Sequence, residues 1–112
     1  MPRFSANLGL LWADLPLVEA IQAAKSARFD AVECHWPYDV SARSVARALD
    51  EAGLPMLGLN TPPGDLSKSE FGLAALPERQ KDARAAIEQA ISYGAQINTR
   101  AVHVMAGITN DE

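Results

Sequence analysis

The sequence predicts an α/β fold with parallel strands, about three and a half βα units in one partial domain spanning residues 1–112. Two observations carry this. Short apolar stretches alternate with longer segments whose apolar residues recur at helical spacing, the order that builds parallel sheets. Residues suited to ending helices or strands, such as Gly53, Gly94 and Pro37, fall between these segments. With 48% hydrophobic and 21% charged residues, the composition is that of a globular domain, not a disordered chain.

Phe4–Leu8 reads as the first strand, and Asp14 is placed to cap the helix that follows, with Pro16 in its first turn. Leu17, Ala20, Ile21, Ala24 and Ala27 form one apolar stripe, while Glu19, Gln22 and Lys25 face water. Ala31–Trp36 is the second strand, closed by Pro37, which has no N–H for a ladder. The second helix buries Val45, Ala48, Leu49 and Ala52 and ends at Gly53. Met56–Asn60 is the third strand. Residues 61–77 then form a connection far longer than the usual 2 to 6 or so residues of such units, which marks it as functional or disordered. A third helix is expected from about Glu78 to Tyr93, with Ala83, Ala86, Ile87, Ala90 and Ile91 inward and Gly94 as its stop. Ala101–Met105 is the fourth strand, and Thr109–Glu112 has the spacing of a capping box, so the chain is expected to stop where a fourth helix begins.

Several function classes are disfavoured. A net charge of −4 with interspersed signs does not make a nucleic-acid surface. No signal-peptide h-region and no run of about 20 apolar residues predicts a membrane partner, and the single Cys34 fits a reducing compartment, so a cytoplasmic protein is expected. Neither a G-x-G-x-x-G nor a G-x-x-x-x-G-K-[ST] motif supports nucleotide binding.

In βα barrels the active site is built at the carboxyl ends of the strands. That rule selects Asn7, Glu33, His35, Asn60 and His103 as pocket candidates, with Glu33 and His35 on one face of their strand because they are two residues apart. Each interrupts an otherwise apolar run, and buried polar groups need partners, so their convergence predicts a polar pocket. Cys34 points to the opposite face and is expected in the core; Trp12 and Trp36 are read as packing residues. Glu33, His35 and His103 together make only a weak spacing signal for Zn²⁺ or Mn²⁺.

The segments Arg3–Leu8, Val32-Glu33 followed by Trp36-Pro37-Tyr38, Leu59-Asn60-Thr61-Pro62-Pro63-Gly64-Asp65, Gly72–Pro77 and His103–Gly107 together resemble the hydroxypyruvate isomerase family, in register from end to end. The resemblance implies the N-terminal portion of a (β/α)8 TIM barrel of the xylose isomerase-like kind and an aldose-ketose shift through an enediol, aided by a divalent cation, Mg²⁺ or Mn²⁺. Hydroxypyruvate, 2-oxo-tetronate or a related small hydroxy-keto acid or sugar is the implied substrate. By the same resemblance the catalytic carboxylates and metal ligands lie beyond Glu112, so no residue here is assigned as catalyst or metal ligand, while Asn7, Glu33, Asn60, Asp65 and His103 match pocket positions. The sequence departs from the family at Leu66, where Trp is usual, and at Phe71, where an Arg suited to a carboxylate is usual. On its own the chain reads as catalytically silent, and with strands one and four unpaired on one side a homo-oligomer is expected.

Overall fold

The computed structural model describes residues 1–109 and has the element order that the apolar rhythm predicts. Strand β1 is Ser5–Asn7, helix α1 Leu17–Ser26, β2 Ala31–Glu33, α2 Ala42–Ala52, β3 Leu59–Asn60, α3 Gln80–Ile97 and β4 Val102–His103. The capping box expected over residues 109–112 extends outside the described residues.

All pairings between named strands are parallel: Ala6 opposite Val32 between β1 and β2, and Asn60 opposite His103 between β3 and β4. Backbone bonds from Val32 N–H to Pro55 (3.0 Å), Cys34 N–H to Gly58 (3.1 Å) and Asn60 N–H to His35 (2.8 Å) join the two pairs, giving the spatial order β1-β2-β3-β4. The strands are shorter than their apolar runs because the ladder continues through single bonds into the loops at both ends.

Strand alternation then sorts the side chains. Ala6, Val32, Cys34 and Leu59 face the helices and are buried, packed with Ile21 and Ala24 of α1, Val45, Ala48, Leu49 and Ala52 of α2, and Ala90, Tyr93 and Ile97 of α3. Ser5, Asn7, Glu33, Asn60 and His103 occupy the intervening positions and are left partly or fully exposed.

Helix α2 is built as its sequence dictates. The Ser41 hydroxyl accepts from Ser44 N–H (3.2 Å) at one end, and Gly53 takes the left-handed conformation (φ 69°) at the other. Helix α1 corrects one expectation. Asp14 does not cap it; the helix begins after Pro16, whose fixed φ of −54° and extended ψ of 144° launch it without a side-chain cap, and Ala27 lies exposed past its end.

Helix α3 corrects another, since it runs through Gly94 to Ile97 and is closed by left-handed Asn98 (φ 54°). Tyr93 and Ile97 continue the apolar stripe for another turn, while Gly94 serves close packing: a Cβ there would lie 2.7 Å from the Thr99 methyl. Ile91, expected inward, is exposed because the buried line of this helix runs Ala83, Ala86, Ala90, Tyr93, Ile97.

The Tyr93 hydroxyl lies 3.0 Å from the Pro37 carbonyl and 2.7 Å from that of Val40, fixing the β2–α2 connection from beneath. Tyr93→Phe is therefore expected to cost about 1 kcal/mol, the usual net worth of one hydrogen bond, since the Pro37 carbonyl keeps the Val40 N–H and only the part-buried Val40 carbonyl loses its donor. Urea unfolding would measure it; an unchanged midpoint would show that this hydroxyl contributes nothing.

Candidate functional site

Asn7, Glu33, His35, Asn60 and His103 line one open cleft of about 580 Å³ at the carboxyl ends of the four strands, where the sheet alternation brings them together. Each has a defined local setting. The Asn7 side-chain oxygen accepts from Gly9 N–H (2.9 Å), turning the chain away from β1. Glu33 accepts from the Ser5 hydroxyl on the neighbouring strand (2.9 Å). The Asn60 side-chain oxygen lies 3.2 Å from His103 Nδ1, linking the two floor residues of β3 and β4.

His35 stands just past β2, its ring 5.6 Å from that of Trp36, and is held against the backbone of Gly9: a Cβ at that glycine would fall 2.2 Å from His35 Nδ1. It also borders a second cavity of about 410 Å³ lined by Leu8, Leu15, Leu17, Trp36, Pro37 and other residues, so it stands between the two spaces. Trp12 packs edge-on against Phe29 with ring centroids 6.1 Å apart, in keeping with a packing role. Cys34, 7% exposed, is turned to the helix side; burial first, and the nearby Glu33 charge second, push its thiol up to about 12, so at neutral pH it is a thiol and a poor nucleophile.

Asp65 is the candidate that the structure does not bring to this cleft. It is exposed and caps the short 3-10 turn Leu66–Lys68 through Ser67, whose N–H lies 2.9 Å from its oxygen; these bonds hold the carboxyl below the usual carboxylate range. Turn chemistry thus accounts for its position. Leu66 and Phe71, the two departures from the family pattern, are both exposed.

The long segment 61–77 is ordered, a feature that its Pro and Gly content alone does not reveal. Glu70 is its anchor: it accepts from Asp65 N–H (2.7 Å) and pairs with Arg79, which also holds Asp82 (2.7 Å) at the start of α3. The Asp65 N–H and the Arg79 guanidinium keep the Glu70 carboxyl below its ordinary range. At its other edge the segment pairs with the continuation of β4, Gly72 opposite Ala106, with Ala75 N–H donating to the Ala106 carbonyl (2.8 Å). A 640 Å³ hollow lies between Glu70, Arg79 and Ile108.

Among the described residues no group of three or more His, Cys, Asp or Glu is placed to hold a metal ion, so Glu33, His35 and His103 share a cleft without forming a ligand set. No helix among them is long and apolar enough to cross a membrane.

A family model described as xylose isomerase-like TIM barrel matches residues 21–112. A human protein that bears a hydroxypyruvate isomerase name is 46% identical over 106 residues, which cover 94% of this chain and 38% of that protein. A 2-oxo-tetronate isomerase of Pectobacterium atrosepticum is 41% identical over 108 residues, 96% of this chain and 41% of that enzyme. The crystal structure titled AP endonuclease, family 2, from Brucella melitensis superposes with a TM-score of 0.92 at 37% identity, covering 98% of this chain and 43% of that one. The chain therefore spans about two fifths of the length of the relatives it matches.

Proposed function

Because the chain belongs to the xylose isomerase-like TIM barrel family, we propose that it forms the substrate-side wall of an isomerase acting on a small hydroxy-keto acid. Hydroxypyruvate is the first substrate of this reading and 2-oxo-tetronate the second. The observation that carries it is the convergence of Asn7, Glu33, His35, Asn60 and His103 on one cleft at the strand ends. Amide and imidazole groups offer both donors and acceptors to a substrate dense in hydroxyl and carbonyl oxygens, and Glu33 offers an acceptor.

In an aldose-ketose shift a proton moves between neighbouring carbons through an enediol, so the substrate must be held with both oxygens fixed. That fixing is the role assigned to these side chains. The described residues hold no group of three or more ligands that fits a divalent cation. The relatives' names favour an isomerase, and the net charge of −4 disfavours a polyanionic nucleic-acid substrate.

The reading includes a cytoplasmic location and a homo-oligomer; for the isolated chain, self-association is supported by β1 and β4, each paired on one side only among the described residues. The natural gene product, assayed with hydroxypyruvate and with 2-oxo-tetronate in the presence of Mg²⁺ or Mn²⁺ and again with chelator, is expected to convert at least one of them. Conversion of neither would remove the isomerase reading. A native product ending at residue 112 that converts neither and self-associates by light scattering would favour a silent, self-pairing half-barrel instead.

A further inference from the structure

Thr61 is the buried polar side chain among the described residues, 2% exposed, and it sits at the first position after β3. Its N–H donates to the His103 carbonyl (2.9 Å) and its hydroxyl accepts from Met105 N–H (3.1 Å), so one residue grips the chain at His103 and again just beyond Val104. The neighbouring contact from Leu59 N–H to Ala101 is longer, at 3.4 Å, and the far edge of β4 is unpaired among the described residues. The Tyr38 hydroxyl donates to the carbonyl of Asn60, whose side chain meets the His103 ring.

We propose that Thr61 is a positioning residue, which holds His103 at the floor of the cleft in contact with Asn60. The hydroxyl matters because it supplies the acceptor that Met105 N–H otherwise lacks among the described residues; without it the strand must shift to find another. A shift of β4 moves His103 away from Asn60 Oδ1 and so changes what the ring offers to a ligand. This rests on the reading of the cleft as a substrate site, but one arm of the test does not.

The test uses the natural gene product with ¹⁵N-labelled histidine and three variants, Thr61→Ser, Thr61→Val and Thr61→Ala. Serine keeps the hydroxyl; valine keeps the shape; alanine removes the hydroxyl without placing a methyl against Met105 and serves if valine does not fold. The His103 ring ¹⁵N resonances are expected to match wild type in T61S and to shift in T61V or T61A as the Asn60 contact is lost. The value of kcat/KM is expected to fall about tenfold in the same two variants, mainly through KM, the equivalent of one hydrogen bond. A folded T61V or T61A whose His103 ring resonances coincide with wild type would overturn the proposal, whatever its stability. Should the wild-type protein convert no substrate, the functional reading fails while the ring resonances still decide the role of Thr61.

Discussion

Alanine at position 72 is expected to release the 61–77 segment from β4 and to lower stability by about 2–4 kcal/mol, through a strained backbone angle and a collision together. Gly72 has φ 117°, and a Cβ there would lie 2.3 Å from the carbonyl oxygen of Met105, a backbone atom that cannot swing aside. Gly107 faces it with φ 94°, where a Cβ would meet the Gly72 oxygen, also at 2.3 Å. The two glycines thus permit the close approach through which Leu73 and Ala74 donate to the Met105 carbonyl (3.2 and 3.3 Å). Gly53 provides the comparison: it has φ 69° but nothing within 4 Å of its absent Cβ, so alanine there should cost only about 1 kcal/mol. Urea unfolding of both variants, with tryptic cleavage after exposed Lys68 as a local probe, separates angle from collision. Equal losses and an uncut segment in G72A would refute the account.

Glu33→Gln is expected to reduce kcat/KM by roughly 10- to 100-fold with stability nearly unchanged. Glutamine keeps the size of the side chain and an oxygen for the Ser5 hydroxyl, 2.9 Å away, but removes the charge. A hydrogen bond to a charged group contributes about 1.5–3 kcal/mol, against about 1.4 for each factor of ten in rate. The loss therefore measures a carboxylate that accepts from a substrate hydroxyl. Ser5→Ala is the control, since it frees the same carboxylate without discharging it and should cost far less. An E33Q enzyme with wild-type kcat/KM would remove Glu33 from the substrate wall.

Much of this was legible in the sequence because period and alternation are local properties. The apolar spacing of Val45, Ala48, Leu49 and Ala52 found α2, and Gly53 found its end. The two-residue spacing of Glu33 and His35, with Cys34 between them, is enough to separate cleft from core. What was hidden depends on tertiary partners. Gly94 looks like a helix stop, yet the helix continues with buried Tyr93 and Ile97, and the glycine serves the close approach of Thr99 instead. Asp14 has the right chemistry for a cap, but Pro16 sets the helix start by its own geometry. Asp65 matches a pocket position by resemblance, but Ser67 two residues later turns it into a local cap. Thr61 carried no signal beyond its type, since the partner it grips lies more than forty residues away.

The alternation along β1 to β3 also bears on how such a protein can change its preferences. Cleft residues Asn7, Glu33 and Asn60 share their strands with Ala6, Val32 and Leu59, which do the packing, so cleft and core are written on opposite faces of the same short strands. Diversity introduced at the inward positions leaves the helix-facing layer intact, and drift in that layer need not alter what is recognised.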